Sequence, residues 1–171
     1  MKILFIGDIF GNPGRKVVEH TLARIQWDYN IDFTIVNGEN ATNGRGINQA
    51  SWNDLAPLGI DVVTMGNHVW DNKDFFRLAN TTEKLLRPLN LPASSPGKGY
   101  GIYTVGEYRV AVVNLLGRVY MPQPMANCPF AAFQQVIEEI RRQTPLIIVD
   151  FHREATSEKL AFGWYAAGRV S

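Results

Sequence analysis

Seven residues have types that could do chemistry together: Asp8, Glu39, Asn40, Asn67, His68, Asp150 and His152. Each stands at or just past the end of an apolar run, in "KILFIGD" (2–8), "FTIVNGEN" (33–40), "DVVTMGNH" (61–68) and "LIIVDFH" (146–152). The set supplies carboxylates, amide oxygens and imidazoles. Such oxygen and nitrogen donors suit Mn, Fe or Zn, and acids gathered in one cleft need cations to offset their repulsion. A metal site accounts for the set as a whole, while each member taken alone has a simpler reading. Asp8 could start a turn or cap the following helix. "GDIFGNPG" could cradle a phosphate at a helix start, but it lacks a full G-x-G-x-x-G and no Lys-Ser/Thr pair follows. Glu39 opens a turn-rich "GENATNGRG" and could be merely solvated. His20 falls on the polar side of a helical pattern and is expected at the surface.

The elements that must position these groups follow from the same runs. Apolar stretches without alternation predict strands covered on both faces. Val18, Leu22 and Ile25 recur at helical spacing between the first two runs, and "NQASWNDLAPLG" precedes the third. The intervals from Asp8 to Glu39 and from Glu39 to Asn67 each match one βαβ unit of roughly 30 residues. The chain is therefore expected to be α/β, with a parallel sheet whose strands deliver the chemistry at their carboxyl ends. Near residue 100 the pattern changes: "GYGIYTV" and "YRVAVVNLLG" flank Gly106-Glu107, a hairpin signal, so the sheet turns antiparallel or a second sheet begins. "PFAAFQQVIEEIRRQ" carries Phe130, Phe133, Ile137 and Ile140 as a helical core stripe. "LPASSPGKG" (91–99) is a connection between regular elements, and "WYAAGRVS" is expected to lead into a further strand.

A chain of 171 residues, 46% hydrophobic, is enough for one buried core, so a single domain over 1–171 is expected. Lys and Arg number 17 against 16 Asp and Glu. That balance offers no basic field for sequence-independent nucleic-acid binding and no polybasic patch for a membrane, so a charged substrate must be held by a local site. Cys128 is the only cysteine, which rules out an intrachain disulfide. The apolar start Ile3 to Ile6 is too short for a signal-peptide core or a membrane span, and a cytoplasmic protein is expected.

"GDIFG", "NGEN", "GNH" and "DFHREATSEK", in this order, resemble the calcineurin-like metallophosphoesterases, specifically the bacterial YmdB-type phosphodiesterase branch. "RPLN" (87–90) and "VVNLLGRVYM" (112–121) resemble that branch too. The resemblance implies a sandwich of mixed β-sheets flanked by helices. It implies a site with two metal ions (Fe, Mn or Zn) in which Asp8 binds one, Glu39 bridges both, Asn40 sits beside the first, and Asn67 and His152 bind the second. His68 is implied as the general acid, and the reaction as hydrolysis of a 2′,3′- or 3′,5′-cyclic nucleotide by a hydroxide generated between the cations. Imidazole as a class titrates in the range such an acid needs.

The sequence departs from the wider family at Phe10, where many members carry a histidine ligand, although the YmdB-type branch shares this change. Arg153 replaces a small residue beside His152; it could repel a cation, clasp a phosphate, or point away along the following segment. Asp150 and Glu154 are expected to shape the His152 loop. The family continues beyond "GWYLAGRVS"-like sequence into another strand and a Gly-Thr-His-Thr-His motif, so the fold is expected to be incomplete at the C-terminus and the chain a fragment of a longer product. The alternative is a truncated protein whose activity is compromised. Other readings are a phosphomonoesterase using the same metal chemistry, a non-catalytic protein binding nucleotides or RNA, and a structural subunit completing its sheet with another copy as a homo-oligomer. No residue marks a base-recognition pocket.

Overall fold

The structure is a computed structural model that describes residues 1–171. The chain divides into two compact units, Met1–Leu85 and Leu86–Ser171. In the first, the run "FTIVN" forms β2 (Phe33–Asn37), buried at every position, as a non-alternating apolar strand must be when both its faces and both its edges are covered. It pairs in parallel with β1 (Ile3–Ile6), setting Ile3 beside Phe33, and with β3 (Val62–Thr64), setting Ile35 beside Val62. With the short β4 (Leu85–Leu86) the sheet order is β1-β2-β3-β4.

The return from β1 to β2 is made by α1 (Gly11–Tyr29), which buries Val18 and Leu22 and leaves His20 exposed, as its spacing predicts. The helix stops at Asn30, whose left-handed conformation (φ 52°) turns its N–H onto the carbonyls of Gln26 and Trp27. Before β3 comes α2 (Gln49–Leu55), started by a capping box in which the Asn48 side chain accepts from the Ser51 N–H at 2.8 Å. After β3 comes α3 (Asp74–Thr81), anchored by the buried Phe75 and Leu78.

The second unit is built on a mixed three-stranded sheet, β5 (Tyr100–Val105), β6 (Tyr108–Leu116) and β7 (Leu146–His152), in that order. β5 and β6 form the expected hairpin, turning at Gly106 with φ 59°, a conformation that glycine takes without strain. β6 and β7 run parallel from Val110 beside Leu146 to Leu116 beside His152. The crossover between them is α4 (Pro129–Gln143), and α5 (Thr156–Ala166) follows β7. Ala111, Val113 and Leu115 alternate onto one face of β6 and pack with Phe133, Ile137 and Ile140 of α4 and with Phe162 of α5. The Phe162 ring lies edge-on to Phe133 at 5.3 Å and tilted over Phe151 at 4.6 Å.

One sequence expectation is corrected. "DVVTMGNH" yields only a three-residue strand, which ends at Thr64 before the turn that begins at Asn67. In "WYAAGRVS", Trp164 to Ala166 finish α5, and Ser171 reaches β7, donating its N–H to the Ile147 carbonyl at 3.0 Å. No helix is long and apolar enough to cross a membrane.

Candidate functional site

The carboxyl ends of β1, β2 and β3 carry the first group of predicted residues. Past β1, Asp8 is exposed, and the next residue, buried Ile9, donates its N–H to the Asn37 carbonyl at 3.0 Å, which prolongs the parallel pairing beyond the strand. Past β2, Gly38 donates to the Thr64 carbonyl at 2.9 Å. A Cβ at Gly38 would stand 2.8 Å from Val63 Cγ1, so only glycine lets the chain leave β2 this close to β3. Glu39 follows, 2% exposed, with its N–H on the Asn37 side-chain oxygen at 3.2 Å.

Asn40 links the acids. Its Nδ2 donates to Asp8 Oδ2 at 2.7 Å and to Glu39 Oε1 at 3.0 Å. Its carbonyl accepts from the N–H groups of Gly11 and Gly44, at 2.8 and 3.0 Å, which ties the loop to the start of α1. Arg15 of α1 reinforces the same loop, binding Asp54 at 2.9 Å and the Ala41 carbonyl. Phe10, 64% exposed, lies over Gly44, where a Cβ would come within 2.8 Å of the ring. Phe10 is therefore an apolar cover on a glycine turn.

Past β3, Asn67 and His68 are half-buried. The His68 N–H points to Glu39 Oε2 at 3.4 Å, and its Nδ1 lies 2.8 Å from Asp71 Oδ2. Asp71 was not among the predicted residues. The signal was present as an acid three positions after a histidine, and it needed the turn at 68–71 to have meaning. Gly46, with φ 67°, passes so close to this turn that a Cβ would meet the His68 carbonyl at 2.7 Å. The first unit thus brings together Asp8, Glu39, Asn40 and the backbone N–H of His68, whose ring pairs with Asp71, with Asn67 adjacent in the chain.

His152 belongs to the second unit. It closes β7 beside Leu116, and its carbonyl accepts from the Gly117 N–H at 2.8 Å. Asp150 is set beside Asn114 in the same pairing. The loop after β6 is held by Glu158, from the first turn of α5, whose carboxylate accepts from Arg118 N at 2.9 Å and Val119 N at 3.3 Å. Glu158 is a second residue that the spacing did not single out; it is the acid of "ATSEK". Arg153 turns along the chain, its Nη1 donating to the Glu154 carbonyl at 3.2 Å, so the neighbouring backbone holds its guanidinium.

Neither unit gathers three His, Cys, Asp or Glu side chains closely enough to hold a metal by themselves. A cation in the first unit would rest on two carboxylates supplemented by amide oxygens. This oxygen donor set suits a metal cation, and one feature supports it: Asp8 and Glu39 are brought together around a single N–H2 group. The positive end of that dipole offsets the repulsion of two acids, the role a bound cation fills.

A profile of YmdB-like proteins matches residues 4–171. The chain belongs to the YmdB-like family. Among the proteins that this YmdB-like chain resembles is the 2′,3′-cyclic-nucleotide 2′-phosphodiesterase of Bacillus subtilis, 44% identical over the whole chain and 64% of the relative. Two crystal structures superpose with a TM-score of 0.91. One is a hypothetical protein from Thermus thermophilus, 39% identical, and the other a novel phosphatase from Mycoplasma pneumoniae, 35% identical. Both are matched over all of this chain, which covers 65% and 62% of their own lengths. The YmdB-like chain therefore spans just under two thirds of the relatives that it matches, and its α/β fold with a mixed sheet and flanking helices is theirs.

Proposed function

We propose that the protein is a metal-dependent phosphodiesterase acting on cyclic nucleotides, 2′,3′-cyclic before 3′,5′-cyclic. The observation that carries this reading is the convergence of Asp8, Asn40 and Glu39 at successive strand ends beside the His68–Asp71 pair. The name of the Bacillus subtilis relative supports the substrate class. By the resemblance, Asp8, Glu39, Asn40, Asn67 and His152 would hold the metal ions. Ions of the Fe, Mn or Zn class, when bound, supply Lewis-acid activation of water and neutralise phosphate charge.

The chain's own residues do the rest. Cleaving a phosphodiester leaves an alkoxide that needs a proton. His68 carries that proton on Nε2 while its Nδ1 faces the Asp71 carboxylate, which fixes the orientation of the ring. Gly46 keeps the backbone under His68 in place. The buried Glu39 accepts from the His68 N–H, which ties the loop after β2 to the turn after β3.

The test is to replace His68 by Ala in the full-length protein. Turnover on 2′,3′-cyclic AMP should fall by about 10²- to 10⁴-fold with metal content retained. Equal loss of metal and turnover would make His68 a ligand instead. The likeness to the Mycoplasma pneumoniae phosphatase favours a second reading, a phosphomonoesterase, which would hydrolyse a nucleoside monophosphate faster than the cyclic diester.

A further inference from the structure

The second unit contains a charged group for which the strand-end chemistry has no use. Arg87, the first residue of "RPLN", is 6% exposed. No carboxylate pairs with it, and burial alone lowers its guanidinium below the usual arginine range. Its Nη1 donates to the carbonyls of Pro88 at 2.8 Å and Leu89 at 3.4 Å, while the buried Nε has no partner. A guanidinium that cannot lose its proton and is withdrawn from water needs an anion or a full set of acceptors, and here it has neither.

Arg87 lines a cavity of about 330 Å³ together with Asn90, Asn127, Cys128, Ala131 and Gln135. Asn90 is committed to structure: its Nδ2 donates to the carbonyls of Leu116 and Asn127, and its Oδ1 accepts from Leu116 N. The far wall is the N-terminus of α4. That 15-residue helix begins after Cys128 with no side-chain cap and no acid in its first turn, and Pro129 follows immediately. Uncapped first-turn amides carry partial positive charge and favour anions. Two independent features therefore face one cavity with the same demand: a buried arginine without a counter-ion and an uncapped helix start.

We propose that this cavity binds a small phosphate-class oxyanion between the Arg87 guanidinium and the first turn of α4. A tetrahedral oxyanion can accept from the planar guanidinium on one side and from the amides of the helix turn on the other. The polar ends of Asn127 and Gln135 complete a rim of neutral donors. None of these residues is Asp8, Glu39, Asn40, Asn67, His68 or His152, so the site is independent of the proposed metal chemistry.

The test uses inorganic phosphate as the probe and the full-length protein in excess chelator, so that no metal-bound phosphate contributes. Amide and arginine Nε–H resonances are followed by heteronuclear NMR. Saturable shifts are expected at Phe130, Ala131 and the Arg87 Nε–H. Ala131→Glu places a carboxylate on an exposed position of the same turn, which suits the helix start and leaves the core untouched. It should weaken phosphate binding by about tenfold or more, as should Arg87→Lys if that variant folds. Shifts confined to other residues, no saturation at millimolar phosphate, or unchanged affinity in Ala131→Glu would each overturn the proposal.

Discussion

On the proposed reading, chemistry at His68 would depend on Asp71 and Gly46, residues that do none of it themselves. The Asp71 carboxylate meets Nδ1 of the His68 ring at 2.8 Å, and its N–H donates to the His68 carbonyl at 3.1 Å. Replacing it by Asn should lower turnover by about 10- to 100-fold, the usual effect of removing an orienting partner, with metal content unchanged by elemental analysis. A decrease as large as that of His68→Ala would mean that Asp71 itself meets the substrate. Gly46→Ala introduces both a strained left-handed backbone and a contact with the His68 carbonyl. It should destabilise the protein by about 1 to 3 kcal/mol in urea unfolding and lower turnover as well. At this scale the residues at strand ends are legible in the sequence because each follows an apolar run. Asp71 and Glu158 are not, since a single acid in a turn or a first helical turn has no periodicity to mark it. The direction of Arg153 is equally hidden, being decided by a backbone carbonyl one residue away.

Among the elements, the helices and central strands are legible because burial on one or both faces imposes a pattern. The stripe of Phe133, Ile137 and Ile140 on α4 meets alternate residues of β6, and both periodicities can be read before the pairing is known. Phe133 is fully buried, with Phe162 edge-on against it. Phe133→Ala should cost about 3 to 5 kcal/mol in the second unit, measured by urea unfolding with a probe in that unit. A loss near 1 kcal/mol would show that the core collapses around the gap. The limits of β3 and α5 are less legible. An apolar run reports burial, not pairing, so "VVTM" stays buried past the last paired residue, and "WYAA" suits a helix end as well as a strand.

For the whole molecule, the change of pattern near residue 100 marks a real change of architecture, from a sheet of parallel pairs to a mixed one. The balance of 17 basic and 16 acidic residues shows why function must be sought in local sites, since no general field would gather substrate. Chemistry would then rest on a few charges concentrated at strand ends, and Glu39, buried and shared between Asn40 and the His68 N–H, is the residue on which most of them depend. The most direct measurement is hydrolysis of 2′,3′-cyclic AMP by the full-length protein and its Glu39→Gln variant, each assayed with chelator and again after Mn²⁺ is restored. Hydrolysis that stops with chelator, returns with metal and is lost together with bound metal in Glu39→Gln is the expected result. Hydrolysis indifferent to chelator, or a metal-loaded protein that cleaves no cyclic nucleotide, would contradict it.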